Sequence, residues 1–289
     1  MITARTFRRA LLSAAILSCM TITAVAQNLQ RLPAQPENVD LELVLAVDIS
    51  LSMDLEEQRL QRDGYVAALR DPQVIKAIGS GPQGRIALSY IEWAGTRIQR
   101  VVVPWRIVSD AANARAFADE LSAKPVSRAR MTSISSAIIF SAKHFRSSGV
   151  TSLRRVIDVS GDGPNNSGQL VLEARKKVLD QGIIINGLAI QIPRARFSAY
   201  SYFDIDDLKQ YYADCVIGGP NSFALVIRSK PEFATAIRQK LLLEIAGSTP
   251  ALFHRAQFMP PQQGAPGGRL KSDCEIGEKR WQNYLLDQE

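Results

Sequence analysis

The chain has 289 residues, of which 46% are apolar and 22% are charged. This is the composition of a globular protein with one large domain or two small ones, and it excludes a wholly disordered or collagen-like chain. The formal net charge of +7 would favour a nucleic acid or a membrane surface as partner, provided that the charge belongs to the folded domain.

Residues 1–26 have the pattern of a secretory signal peptide. Three arginines precede an uncharged apolar run, and the run ends in the small residues Ala24-Val25-Ala26, as at a signal peptidase site. We therefore predict an exported protein, periplasmic or extracellular, with no stable membrane span after cleavage. An uncleaved anchor is one alternative, and a lipoprotein attached through Cys19 is a second.

Cleavage of this segment changes the charge argument. It removes three arginines, so the mature chain has 32 basic and 28 acidic residues. The basic residues that remain are scattered as short pairs such as Arg154-Arg155, and aromatic residues make up only 7% of the chain. The sequence therefore disfavours a nucleic acid as partner.

Beyond the signal peptide, short apolar runs alternate with stretches of helical periodicity. We predict strands at residues 41–47, 85–93, 97–103, 153–159, 183–190 and 223–227, and helices at residues 53–70, 109–122, 133–145, 168–180 and 231–245. Ser109 is the expected N-cap of the second helix, and Pro72 follows the first. Elements in this order predict an α/β fold, a doubly wound, mostly parallel sheet flanked by helices, over residues 38–246.

The segment after this domain has a different composition. Residues 247–268 contain four prolines and four glycines, and such a composition is typical of a linker. We therefore predict that residues 247–289 form a flexible C-terminal extension.

Two cysteines, Cys215 and Cys274, remain after cleavage of the signal peptide, and both lie in polar surroundings rich in glycine. Two cysteines in an oxidising compartment can form one disulfide. We predict the Cys215–Cys274 disulfide, with two separate buried thiols as the alternative.

Side chains with oxygen donors follow or precede three of the predicted elements. Asp48, Ser50 and Ser52 come directly after the first strand, and residues two apart in an extended chain point to the same side. Thr132 directly precedes a helix, and Asp162 follows the fourth strand. Ligands of an open parallel sheet bind beyond the carboxyl ends of its strands, so we expect these five residues to share one site.

The chemistry of these donors indicates the ligand. Hard oxygen donors without a nearby His or Cys suit Mg²⁺, with Mn²⁺ or Ca²⁺ as alternatives, and disfavour zinc. Only two of the five donors are carboxylates, so a bound cation would keep much of its positive field. We therefore expect the site to be completed by an acidic residue of a protein partner rather than closed as a structural cage.

The motif Asp48-x-Ser50-x-Ser52, followed on successive loops by Thr132 and by Asp162-Gly163, resembles the metal-ion-dependent adhesion site (MIDAS) of von Willebrand factor A domains and integrin inserted domains. The resemblance covers residues 40–245. It implies the two serines and the threonine as metal ligands, with the two aspartates bound directly or through water. With its signal peptide and its tail that carries a cysteine, the chain also resembles a secreted bacterial A-domain family of unknown function.

Two positions depart from the pattern of the domains that the chain resembles. Gly161 stands where Thr is usual before the aspartate, and Met131 stands where Gly is common before the threonine. Neither change removes a metal donor. The predicted function is an exported, non-enzymatic module that binds an acidic group of a protein partner through a divalent cation.

Other interpretations of the same residues remain open at this point. The loop at Asp162 resembles that of haloacid-dehalogenase phosphatases, but a metal-dependent phosphohydrolase of that kind needs a second aspartate where Ser50 stands. A scaffold with an unused metal site is a further alternative. In a purely structural interpretation of the same residues, Asp48 caps the following helix and the serines bond the local backbone. Asp158, inside the fourth strand, is expected to pair with an arginine.

Overall fold

The structure is a computed structural model that describes residues 36–193, 201–247 and 272–287. The chain divides into two units, residues 1–37 and residues 38–289, and the second unit contains every residue of the candidate site. The predicted signal peptide, residues 1–26, lies outside the described residues and stays a prediction. No helix in the described ranges is long and apolar enough to cross a membrane.

The described residues alternate between strands and helices along the chain. The strands are β1 (Glu37–Val39), β2 (Leu41–Asp48), β3 (Ile86–Trp93), β4 (Gln99–Val108), β5 (Val150–Ser152), β6 (Arg155–Gly161), β7 (Ile183–Ile190) and β8 (Ala224–Ile227). The helices are α1 (Leu55–Arg70), α2 (Pro72–Gly79), α3 (Ala111–Ser122), α4 (Ile134–His144), α5 (Val171–Leu179), α6 (Leu208–Tyr211), α7 (Phe233–Ala246) and α8 (Ile276–Leu286).

Six strands form the central sheet in the order β4-β3-β2-β6-β7-β8. All neighbours in this sheet are parallel except β4, which runs antiparallel to β3 at one edge. β1 and β5 form a separate two-stranded sheet. The predicted fold class, an α/β arrangement with a mostly parallel sheet between helices, is therefore confirmed.

The central strand β2 shows why helices cover both faces of the sheet. All eight of its residues are buried, and its side chains alternate between two apolar cores. Leu43 and Leu45 belong to the core beneath α1, α2, α3 and α7, whereas Val44 and Ala46 belong to the core beneath α4, α5 and α6. A parallel sheet of this kind is stable because both of its faces are removed from water.

The helix after β2 ends where the sequence predicts, but a second helix follows at once. Pro72 is the first residue of α2 rather than a terminator, and the Asp71 carboxylate caps that helix by accepting the N–H of Gln73 at 2.7 Å. Proline suits the first helical turn because the N–H that it lacks would have no partner there. The prediction missed α2 because proline signals both a helix end and a helix start.

Several further boundaries differ from the prediction, and three of them are informative. β4 continues to Val108, five residues past the predicted end. The N-cap of α3 is Asp110 rather than Ser109, since its carboxylate accepts the N–H of Asn113 at 2.8 Å. The strand predicted over 153–159 begins later, at Arg155. Leu153, which the prediction placed inside the strand, is 94% exposed and lies between β5 and β6.

The disulfide between Cys215 and Cys274 is present, with Cα atoms 5.5 Å apart, so that prediction is confirmed. Cys215 lies in a turn of π-helix, Tyr212–Val216, that continues α6 and was not predicted. Cys274 lies two residues before the start of α8. The predicted flexible extension is therefore wrong for residues 276–286, which form a helix next to a covalent link to the domain.

A group of buried charges lies in the core beneath α7. Lys240 Nζ is 2.8 Å from Asp158 Oδ1 and 2.7 Å from Glu244 Oε1, and all three side chains are at most 1% exposed. Asn186 donates to the second Glu244 oxygen at 2.6 Å. Burial raises the pKa of Asp158 to about 7, although the Lys240 charge opposes the rise. The partner of Asp158 is thus a lysine, and the expected arginine is wrong.

Lys240→Met tests how much this group contributes to the stability of the fold. The substitution leaves two buried carboxylates without their cation, so we expect the free energy of unfolding to fall by about 3–5 kcal/mol. Lys176→Met is the matched control, because Lys176 pairs with Asp180 on the exposed side of α5 and should change stability little. Urea denaturation of both variants measures the difference. Equal stability of the two would show that the buried group does not stabilise the fold.

Candidate metal site

The site begins at the carboxyl end of β2. Asp48 is the last residue of that strand and is fully buried. Its Oδ1 accepts the N–H of Ser50 at 2.7 Å, whereas its Oδ2 is buried and has no hydrogen-bond partner among the described residues. The cap of α1 is Asp54, whose carboxylate accepts the N–H of Glu57 at 2.7 Å. Asp48 is therefore not the helix cap that a purely structural interpretation of these residues requires.

The two serine hydroxyls of the same loop face the loop after β6. Ser52 Oγ donates to Asp162 Oδ1 at 2.7 Å, and Ser50 Oγ lies 2.8 Å from Ser52 Oγ and 3.4 Å from the same carboxylate oxygen. Their hydroxyls thus contact each other and a carboxylate 110 residues away in sequence. The structure brings four of the five predicted residues, Asp48, Ser50, Ser52 and Asp162, into one hydrogen-bonded group.

Thr132 reaches the same place from a third loop. It directly precedes Ser133, the N-cap of α4, and it is held against the loop after β6 by two bonds. Its N–H donates to Asn166 Oδ1 at 2.8 Å, and its carbonyl accepts the N–H of Asn166 at 2.9 Å. Thr132 lines a cavity of about 330 Å³ together with Ser50, Ser52 and Asp162.

The electrostatics of the site centre on the two aspartates. Burial, and next the charge of Asp162, raises the pKa of Asp48 well above its usual range, although hydrogen bonds from Ser50 oppose the rise. Burial, followed by the charges of Asp48 and Asp162, also raises the pKa of Tyr212. A cation at this position would favour the ionised form of Asp48, because an opposite charge offsets burial.

These residues fit a divalent cation by their chemistry. Two carboxylates and three hydroxyls are hard oxygen donors, and within the described ranges the buried Asp48 Oδ2 has no hydrogen-bond partner. In the described part of the chain, no cluster of three or more His, Cys, Asp and Glu side chains is placed to bind a metal. The candidate site is of another type, in which neutral hydroxyls provide most of the donors.

The two departures from the pattern of A domains have structural reasons. A Cβ at Gly161 would lie 2.8 Å from the Tyr212 hydroxyl and 2.9 Å from Asp48 Oδ2, so a larger residue has no room there. Met131 has a φ of 72°, the left-handed conformation that glycine adopts most easily. The backbone at Met131 thus has a conformation that suits glycine, the residue that the motif pattern leads one to expect there.

Sequence reasoning missed several residues that build the site. Arg128 donates to the carbonyl of Leu51 at 2.7 Å and to that of Met53 at 2.5 Å, which ties the first loop to the second. Phe203, Trp281 and Tyr284 line the cavity from two segments to which the sequence assigned no site role. The apolar residues of α8 give only a weak helical pattern, and the disulfide was the one signal that its segment returns to the domain.

Comparison with known proteins identifies the family. Residues 38–249 match the family described as "Protein of unknown function (DUF1194)", and because the match covers most of the chain, the chain belongs to this family. No curated protein matches the sequence.

Solved structures share the fold at low sequence identity. Proximal thread matrix protein 1 from the mussel byssus matches with a TM-score of 0.52 and 13% identity over 73% of this chain and 50% of its own length. Pilus adhesin SpaC from Lactobacillus rhamnosus GG matches with a TM-score of 0.53 and 13% identity over 72% of this chain and 30% of its own. A von Willebrand factor type A protein from Catenulispora acidiphila matches with a TM-score of 0.49 and 13% identity over 72% and 43%.

The chain therefore spans between 30% and 50% of the length of these three proteins. A further structure of the mussel protein, with a TM-score of 0.48 and 14% identity over 74% of this chain and 49% of its own, is described as having a zinc-occupied MIDAS motif. Identities this low show a shared fold. This α/β fold is the one shared with the mussel matrix protein and the pilus adhesin.

Gly161→Ala and Gly163→Ala form a matched pair that tests the packing at the site. The first Cβ would collide with Tyr212 and Asp48, whereas the second would meet no atom within 4 Å. We expect Gly161→Ala to lower the free energy of unfolding by about 1–3 kcal/mol, as overpacking does, and Gly163→Ala to change it little. Urea denaturation of both variants is the measurement. Two variants of equal stability would contradict the close packing around Asp48.

Proposed function

We propose that this DUF1194 protein is an exported, non-enzymatic module that binds a divalent cation at Asp48, Ser50, Ser52, Thr132 and Asp162 and, through the cation, an acidic group of a protein partner. One observation carries the proposal: three loops bring Ser50, Ser52, Thr132 and Asp162 to one cavity, and the neighbouring Asp48, which accepts the Ser50 N–H, has a buried Oδ2 without a hydrogen-bond partner in the described residues. A carboxylate in that position is costly unless a positive charge is near it.

The roles of the five residues follow from their positions. Ser50, Ser52 and Thr132 would hold the cation through their hydroxyls, and the two aspartates would bind it directly or through water. Asp48 is fully buried, whereas Ser50, Ser52, Thr132 and Asp162 line the cavity, so the partner reaches the site from the side of those four. Because three of the five donors are neutral hydroxyls, the bound cation would keep much of its positive charge. A carboxylate of the partner would then complete its coordination.

The same geometry disfavours a phosphohydrolase. Such an enzyme needs a carboxylic acid two residues after its nucleophilic aspartate to transfer a proton. Ser50 stands there instead, and its hydroxyl lies 2.8 Å from Ser52 Oγ. The hydroxyls of Ser50 and Ser52 are suitable metal ligands, but they cannot replace a carboxylic acid that transfers a proton.

Export is supported by the cysteines as well as by the predicted signal peptide. Disulfides persist in oxidising compartments such as the periplasm and the extracellular space. The Cys215–Cys274 bond is of the kind found there. It therefore agrees with a role outside the cytosol, where an acidic group of another envelope or extracellular protein would be the ligand.

Asp48→Asn tests the metal site directly. The variant keeps the shape of the side chain but removes its negative charge, so we expect Mg²⁺ affinity to fall by at least about tenfold, or about 1.4 kcal/mol. The fold should remain intact, because a neutral amide is less costly to bury than an unpaired carboxylate. Isothermal titration calorimetry with Mg²⁺, Mn²⁺, Ca²⁺ and Zn²⁺ measures the affinity and identifies the preferred cation.

The control for this experiment is Asp180→Asn, an exposed aspartate that pairs with Lys176 on α5. It should bind each cation as the wild type does. Equal cation affinity of Asp48→Asn and the wild type would rule out the proposed site. Turnover of phosphate esters that requires Mg²⁺ and disappears in Asp48→Asn would instead support the phosphohydrolase.

A further inference from the structure

We propose that Phe203, Trp281 and Tyr284 form an aromatic wall of the metal cavity and select partners that present an acidic residue next to a large apolar side chain. The occupant is an extended or protruding peptide segment of the partner, with the carboxylate at the cation and the apolar side chain on the wall. This inference rests on the proposed function, because the carboxylate is assigned to the cation site.

The wall is part of the cavity that contains the predicted metal donors. One part of the lining is polar and includes Ser50, Ser52, Thr132 and Asp162, whereas Phe203, Trp281 and Tyr284 contribute aromatic rings. The rings pack on one another, with centroids 5.8 Å apart for Phe203 and Trp281, 5.5 Å for Phe203 and Tyr284, and 5.7 Å for Trp281 and Tyr284. A ligand at the hydroxyl donors therefore has an aromatic surface within the same cavity.

The wall is fixed in place by three attachments of α8. The Cys215–Cys274 disulfide anchors the segment that precedes the helix. Glu278 Oε1 accepts a hydrogen bond from Asn165 Nδ2 at 2.7 Å, and Arg280 donates to the carbonyls of Tyr202 and Asp204. These bonds hold both aromatic segments, so the wall is ordered before a ligand binds and less conformational entropy is lost on binding.

The helix also lies very close to the loop that carries Asp162. A Cβ at Gly277 would lie only 2.0 Å from the carbonyl oxygen of Asn165, so only glycine permits this approach. Asn165 in turn accepts the N–H of Ser135 on α4 at 3.0 Å. The position of the wall is therefore coupled to the loops that carry the metal donors.

The size and composition of the cavity define the kind of ligand. A volume of about 330 Å³ is at the lower end of the range for ligand pockets, so it admits one or two side chains and not a flat protein face. Tryptophan and tyrosine in such positions contribute strongly to binding because they bury large areas with few rotatable bonds. Arg130 and Asp204 also line the cavity, and their opposite charges offset each other.

The experiment selects a random heptapeptide display library on the full chain loaded with Mg²⁺ and elutes bound peptides with EDTA. We expect the eluted peptides to be enriched in Asp or Glu beside Trp, Phe, Leu or Ile. Trp281→Ala/Tyr284→Ala should keep the acidic enrichment and lose the apolar one. Leu286→Ala is the matched control, because Leu286 is 68% exposed on the same helix and does not line the cavity; it should select as the wild type does.

A quantitative arm uses capped synthetic peptides that differ in one residue, Asp-Leu against Asp-Ser, in calorimetry. The wild type should prefer Asp-Leu by about tenfold, the size of one interface anchor, and the double variant should show no preference. The Mg²⁺ affinity of the double variant, which should equal that of the wild type, shows that its metal site is folded. If the double variant does not fold, the single variants Trp281→Ala and Tyr284→Ala are used in its place.

The outcomes separate this inference from the function on which it rests. The aromatic wall would be ruled out if the wild type selected acidic peptides without apolar neighbours. It would also be ruled out if the aromatic variants kept the apolar preference. Either result would still be compatible with the cation site. Stronger binding of every acidic peptide after removal of the rings would overturn it too, since the rings would then obstruct the site. An absence of acidic peptides eluted by EDTA would overturn both.

Discussion

The buried carboxylate of Asp48 is the constraint on which the rest of the site depends. It lies at the end of the central strand, fully removed from water, with one oxygen bonded to the Ser50 N–H and the other without a partner among the described residues. Burial and the nearby charge of Asp162 both disfavour its ionised form. A divalent cation would resolve this conflict, and we propose that the hydroxyls of two loops, with Asp162 on a third, bind it.

The fold explains how residues far apart in sequence meet at this carboxylate. β2 and β6 are parallel neighbours, so the loops after them, with Ser50 and Ser52 on one and Asp162 on the other, emerge at the same edge of the sheet. The loop with Thr132 joins them because Asn166 bonds the Thr132 backbone at both its N–H and its carbonyl. Parallel sheets bring their ligand sites to this edge for the same reason.

The sequence was sufficient for features that depend on local pattern. The apolar run of β2 and the alternation of Asp48, Ser50 and Ser52 predicted both the strand and the loop that follows it. Features that depend on distant contacts were not accessible. Lys240 is the partner of Asp158 because α7 packs over β6, and no local signal distinguishes it from the arginine that we expected. Residues 276–286 gave only a weak periodic pattern, so the sequence did not indicate their place beside the metal cavity.

A crystal structure of the protein soaked in Mn²⁺ would show whether a cation binds at the junction of these three loops. The anomalous scattering of manganese locates the ion independently of any assumption about its ligands. We predict one strong peak in contact with the hydroxyls of Ser50, Ser52 and Thr132, with Asp48 and Asp162 bound directly or through water. No peak at this position, with the serine hydroxyls still bonded to Asp162 as they are here, would contradict it.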